Sequence, residues 1–203
     1  MPILEKRIKI ALYKGPGAEL AKDVEIVLQK NRIAHQMINA SDVQNGILEN
    51  FELLIMPGGY TARYIPGLRR KGCEAIQNFL IEKKGYYLGI CAGAYIAGMP
   101  ELEISKSIMV RKSGIFNCDI KICDLSHPIF KGLREFTILV YYQNGPHIHP
   151  HKDEKSLALY VDGTSSIIEN TNNIHALIFS WHPEKLPHTV PVLLNSIKYL
   201  LGS

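Results

Sequence analysis

No uninterrupted apolar run in this chain is long enough to cross a bilayer, and its first residues, Met1–Arg7, carry charge without the apolar stretch of a secretory leader. Membrane insertion and export are therefore not expected. Low-complexity tracts, internal repeats and linker-like stretches are missing too, so the 203 residues are expected to form one domain, 1–203. Cysteine is sparse. The four present, Cys73, Cys91, Cys118 and Cys123, make neither a C-x-x-C pair nor zinc-ribbon spacing. That excludes the usual thiol-redox and zinc frameworks and suits free thiols in a reducing, cytoplasmic setting. Charge of one sign is equally scarce: 23 Lys and Arg against 19 Asp and Glu leave +4, and Arg69-Arg70-Lys71 is the only basic run of three. Neither nucleic acid nor a membrane surface is an expected partner. The glycine patterns of Walker and dinucleotide loops do not occur, and no cofactor is expected.

What is present is an ordinary globular composition, 46% hydrophobic and 21% charged, sufficient for a sizeable core. The most informative stretch is Tyr86–Tyr95, YYLGICAGAY. Tyr86–Ile90 reads as a buried strand and Ala92–Gly98 as a short helix, with Cys91 at the joint between Gly89 and Gly93. This G-x-C-x-G is the cysteine counterpart of a nucleophile elbow, in which a sharp strand-to-helix turn presents the nucleophile. Glycine suits both flanks because a Cβ there would crowd neighbouring backbone. The turn also sets the sulfur at a helix start, where amide groups favour a thiolate. A buried structural cysteine beside two packing glycines would share the pattern.

Cysteine catalysis needs a base for the thiol proton and a carboxylate to orient that base. Both occur near the far end, where the apolar run Ile174–Phe179 is followed by Ser180-Trp181-His182-Pro183-Glu184. His182 as base and Glu184 as its orienting group would sit in one turn at a strand end, although a lone His-Pro is more commonly a plain loop.

The first half alternates strand and helix patterns. Strands are expected at Ile8–Tyr13, Ile33–Ile38 and Phe51–Met56, and helices at Ala18–Asn31 and about 72–83, with Ser41-Asp42 capping a short helix between. Such alternation implies right-handed βαβ units and a parallel sheet covered on both faces. Sites in such sheets form at the carboxyl ends of strands. The turn Lys14-Gly15-Pro16-Gly17, the turn Pro57-Gly58-Gly59, Cys91 and the H-P-E segment all fall at such ends. The first of these is either structural or substrate-lining. In the second, Gly59 can offer its N–H to a developing oxyanion together with that of Ala92, just after the cysteine. Beyond it, Tyr60, Arg63 and Tyr64 are expected around the mouth of the site, with Tyr95 one turn past Cys91. Arg63 could grip a substrate carboxylate as a fork.

The second half consists of short strand-like runs, Met109–Gly114, Phe116–Leu125, Phe136–Tyr142, Leu157–Asp162 and Ser166–Asn170, which suggest an antiparallel extension. A closing helix is expected at Val190–Leu201. His147, His149 and His151 would share one face if extended, as zinc-binding imidazoles can, but Pro146 and Pro150 argue for a loop. No metal site is assigned.

GICAGAY together with WHPE resembles the class I glutamine amidotransferase-like superfamily. LYKGPG (Leu12–Gly17), MPGGYTARY (Met56–Tyr64), the Ala-Tyr tail of the elbow and YYQNGP (Tyr141–Pro146) further resemble the biotin-protein-ligase N-terminal-domain family. The resemblance spans almost the whole chain and is to a stand-alone domain, without the ligase catalytic domain. It implies a flavodoxin-like three-layer α/β sandwich with a central, mainly parallel sheet and a short antiparallel extension. It also implies a Cys91-His182-Glu184 triad acting on a small amide, and a place for Asn144 or His147 near the substrate. Where glutamine-using relatives carry a glutamine, this elbow has Tyr95, which puts glutamine itself in doubt as substrate. The expected partners are that small amide and a separate acceptor or synthetase protein, with homodimerisation left open. The alternative is a non-catalytic binding or regulatory module that keeps the elbow as scaffold.

Overall fold

Four short runs are buried on every residue or nearly so: Ile10–Tyr13 (β1), Leu53–Met56 (β3), Tyr86–Ile90 (β4) and His175–Phe179 (β11). Burial on both faces is what an interior parallel strand requires. The computed structural model describes residues 8–202; the charged segment Met1–Arg7 lies outside them. These four strands and Gln36–Ile38 (β2) pair in parallel in the order β2-β1-β3-β4-β11, the flavodoxin-like arrangement. Alternate residues point to opposite sides. Ala11, Tyr13, Leu54, Met56 and Tyr87 join one core layer, and Leu12, Leu53, Ile55, Leu88 and Ile90 the other.

Helices cover both faces. Ala21–Lys30 (α1) buries Ala21, Val24, Val27 and Leu28 at helical spacing, and Val190–Leu200 (α5) buries Val192, Leu193, Ile197 and Leu200. The other face carries Ala40–Gln44 (α2), Thr61–Ile81 (α3) and Ala92–Ala97 (α4). Three helix starts differ from the sequence expectation, the first being α1, which begins at Ala21 rather than Ala18. Asn39, not Ser41-Asp42, caps α2: its side chain accepts the Asp42 N–H at 3.0 Å while Asp42 accepts the Asn39 N–H at 2.8 Å. α3 begins eleven residues earlier than position 72, directly after the Pro-Gly-Gly turn. It tolerates Pro66 in its first two turns and breaks at Arg69, whose φ of 56° and ψ of 176° are not helical.

Beyond β11 the sheet turns antiparallel through Ser165–Asn170 (β10), Lys155–Leu159 (β9), Ile115–Ile122 (β6) and Thr137–Gln143 (β7), while Ile108–Arg111 (β5) pairs with Pro146–His149 (β8) against β10. The antiparallel extension is continuous with the parallel part, and it accounts for six of the eleven strands among the described residues. β8 replaces the loop expected between Pro146 and Pro150. Pro146 is tolerated because it opens the strand, pairing with Arg111 at the end of β5. The three histidines then go to separate surroundings. His147 is buried, stacked on Tyr160 at 4.4 Å and bonded to Thr164 Oγ1 at 2.7 Å. His149 is exposed, and His151 pairs with Asp153. Among the described residues no group of three or more His, Cys, Asp or Glu side chains could hold a metal ion, and no helix is long and apolar enough to cross a membrane.

Candidate active site

The turns after β1 and β3 meet where the strand order reverses. Tyr60 N–H donates to Gly17 O at 2.8 Å and also to Glu19 Oε2 at 2.8 Å, and Leu20 N–H donates to Gly58 O at 3.1 Å. This lacing decides the Gly15-Pro16-Gly17 question in favour of a structural clasp, while its neighbours Glu19 and Leu20 reach the cavity wall. The approach is close enough to demand glycine at position 59, where φ is +150° and a Cβ would lie 2.1 Å from Gly17 O.

Cys91 joins β4 to α4 with φ 52° and ψ −101°, a backbone conformation that an L-residue adopts only under constraint. Its N–H donates to Phe179 O at 2.8 Å, pinning the elbow to the end of β11. Ala92 is the first residue of α4, so its N–H has no intrahelical acceptor. Packing around the elbow is tight: a Cβ on Gly93 would sit 2.0 Å from Met56 O.

From the end of β11, His182 and Glu184 return over the same edge. His182 Nδ1 and Glu184 Oε1 are 2.7 Å apart, and both side chains are wholly buried. The turn is held from several sides. His182 N–H donates to Tyr141 O at 3.0 Å, Thr189 Oγ1 donates to Pro183 O at 3.0 Å, and Lys185 pairs with Asp23 of α1 at 2.7 Å. Burial pulls the imidazole towards neutrality, but the Glu184 charge and the adjacent Cys91 outweigh it and push the pKa up to about 10. The thiol itself donates to Gln143 O at 3.2 Å, and His182 Nε2 has no hydrogen-bond partner. His182 Nε2 therefore lies close enough to Cys91 for the sulfur to act on its charge, with the thiol turned to Gln143 O. With the ring already protonated at neutral pH, turning the sulfur away from Gln143 O would pair a Cys91 thiolate with the imidazolium.

Above Cys91 opens a cavity of about 790 Å3. Of the residues expected to bind substrate, Tyr60, Tyr95 and Asn144 line it with Gly59 and Cys91. Asn144 is partly committed: its φ is 52° and its Oδ1 accepts the Gly114 N–H at 2.8 Å. Arg63 is not in the wall. It is mostly exposed, pairs with Glu19 Oε1 at 3.3 Å and lies over the Tyr60 ring. Tyr64 is likewise not at the mouth but in the core, stacked on Tyr13 and donating to Pro57 O at 2.6 Å. The cationic wall residue is Arg111, at the end of β5. Sequence reasoning missed it, together with Met109, because the pairing of β5 with β8 places that segment; Met99, just past α4, and Gln143, at the end of β7, were missed as well.

Comparison with known proteins agrees with this architecture. Residues 8–108 match the family described as biotin-protein ligase, N terminal. A curated relative, an uncharacterized protein of Chlamydia muridarum, is 41% identical over 66 residues, which cover 32% of this chain and 25% of that protein. The match thus spans about a quarter of that relative's length. Among solved structures, a protein assigned as a GMP synthase subunit from Thermoplasma acidophilum superposes with a TM-score of 0.74 at 14% identity, covering 96% of this chain and 95% of its own. PurLQS from Thermotoga maritima gives 0.71 at 19%, covering 96% and 99%. A glutamine amidotransferase from the same organism gives 0.64 at 14%, covering 98% and 85%. At these identities the likeness establishes the fold.

Proposed function

Starting from a chain with the class I glutamine amidotransferase-like fold, whose residues 8–108 belong to the biotin-protein-ligase N-terminal family, we propose that it is a cysteine-dependent amide hydrolase or amidotransferase. The observation that carries this reading is the buried His182–Glu184 pair at 2.7 Å, with Nε2 unpartnered beside a cysteine held at positive φ. A scaffold has no need of a wholly buried charged pair there, since burying two charges is costly unless they are used or fully bonded.

In the reaction, Cys91 loses its proton to solvent and attacks the amide carbonyl as a thiolate, its charge balanced by the His182 imidazolium, which is protonated at neutral pH. The Gly59 and Ala92 N–H groups receive the oxyanion, a contribution worth about 100-fold or more per donor in comparable sites. His182 gives its proton to the departing amine, leaving a thioester on Cys91. Water, deprotonated by His182, or an acceptor amine then releases the acyl group and restores the thiol. Glu184 orients the ring and balances the imidazolium. A separate acceptor or synthetase protein fits the transferase version, and a reducing cytoplasm keeps Cys91 as a thiol.

One observation favours a second reading, a non-catalytic binding or regulatory module: the thiol is bonded to Gln143 O rather than to His182. Trapping of covalent adducts by mass spectrometry, against a panel of small amides, separates the two. Adducts should accumulate on Cys91 alone, because burial pushes the Cys73, Cys118 and Cys123 thiols up. Labelling of Cys73, Cys118 or Cys123 at the same rate as Cys91 would remove the case for an activated thiol.

A further inference from the structure

The cavity over Cys91 contains an unanswered charge. Of its two charged wall residues, Glu19 is already committed, with Oε1 on Arg63 at 3.3 Å and Oε2 accepting the Tyr60 N–H at 2.8 Å. Arg111 has no carboxylate within ion-pair distance among the described residues. Across the same wall, the Tyr95 hydroxyl is buried and has no acceptor. The Lys112 N–H acts on the phenol oxygen, which leaves the hydroxyl's own proton without an acceptor. The phenol stays protonated, because burial raises its pKa, and the Arg111 charge is near enough to act on it. Arg111 is exposed and can be solvated, whereas the buried Tyr95 hydroxyl is closed off from solvent; a cation on the cavity wall beside an unpartnered buried donor points to an anionic ligand. Met99 and Met109 make the adjoining wall apolar.

We propose that Arg111 and the Tyr95 hydroxyl form an anion-accepting subsite. The substrate is then an amide whose far end carries a carboxylate and whose body is apolar. This rests on the reading of Cys91 as nucleophile. It also reassigns the carboxylate grip from Arg63 to Arg111. Free glutamine brings the same far-end carboxylate but adds an ammonium group, for which the wall's one carboxylate, Glu19, is already committed.

Two probes of similar size test the subsite without knowledge of the substrate: iodoacetate, an anion, and iodoacetamide, its neutral amide. In each, the Cys91 thiolate forms a C–S bond and iodide leaves. The measurement is the ratio of the two rates at the Cys91 peptide, followed by mass spectrometry, with the ratio at Cys123 as internal reference. In Arg111→Ala the ratio should fall roughly three- to tenfold, the effect of one nearby charge across a solvated cleft. Arg111→Lys should keep most of it, Tyr95→Phe should lower it, and 1 M salt should bring wild type towards Arg111→Ala. An Arg111→Ala ratio within about twofold of wild type overturns the subsite. Should Arg111→Ala fold poorly, the salt series and Arg111→Lys on folded protein decide alone. The ratio is read at Cys91 whether or not Cys91 outpaces Cys123. A sluggish Cys91 would sink the nucleophile reading while the ratio still decides for or against the subsite.

Discussion

Replacing Glu184 by glutamine isolates what holds the imidazole charged. The variant keeps the length of the side chain and an oxygen opposite Nδ1, 2.7 Å away, and removes only the charge. Two unit charges about 4 Å apart in a medium of effective dielectric near 20 interact by about 4 kcal/mol, or about 3 pKa units. His182 should therefore fall from about 10 to about 7 in Glu184→Gln. The consequence for stability has a definite sign. A pKa raised on folding contributes stability that is complete below the unfolded value of 6.5 and is lost as pH rises through the folded value of about 10. The variant should accordingly be less stable than wild type by about 4 kcal/mol near pH 6. That gap should shrink steadily towards pH 10. Histidine NMR titration gives the pKa directly, and denaturant unfolding at pH 6, 8 and 10 gives the gap. Both proteins keep Cys91, because the sulfur is itself one of the groups that raise the His182 pKa. Titration of His182 in Glu184→Gln within about one unit of wild type, or a stability gap independent of pH, would refute the charge-pair account.

Three further perturbations follow from the same geometry. At position 91, where φ is 52°, Cys91→Gly should be more stable than Cys91→Ala by about 1 kcal/mol, the reverse of the usual order, because only glycine adopts that conformation without strain; equal or inverted denaturation midpoints would count against a strained elbow. Glu154 is buried and accepts from Ser105 Oγ at 2.6 Å, Lys106 N–H at 2.7 Å and Ser107 Oγ at 2.5 Å, so Glu154→Ala should cost about 2–4 kcal/mol and loosen the segment carrying Met109 and Arg111, which hydrogen exchange at 105–112 would register. Purified protein should hydrolyse free glutamine slowly or not at all, and Tyr95→Gln should not restore the activity by itself; robust turnover abolished by Cys91→Ala would make this an ordinary glutaminase subunit.

Some of this was legible one residue at a time. The strands β1, β3, β4 and β11 announce themselves because a parallel strand buried on both faces must be apolar at successive positions, a property of local composition. The elbow and the His182-Pro183-Glu184 turn are readable because each concentrates its requirement within five residues: Gly89 and Gly93 about a positive-φ cysteine, and a base two positions from its carboxylate. Pro66 and Gly67 concealed the start of α3 at Thr61, since the sequence shows helix breakers where packing tolerates them and moves the break to Arg69. Pro146 concealed β8 in the same way. Which cation faces the cavity was beyond the sequence altogether. Arg63 lies close to the Pro-Gly-Gly turn along the chain, yet Glu19, 44 residues away, draws it outward. Arg111 arrives only through the β5–β8 pairing, and Tyr64 turns inward because Tyr13 is there to stack on it. Periodicity and forced backbone angles are written locally; the partner that captures a long side chain comes from distant sequence, and only the folded chain brings the two together.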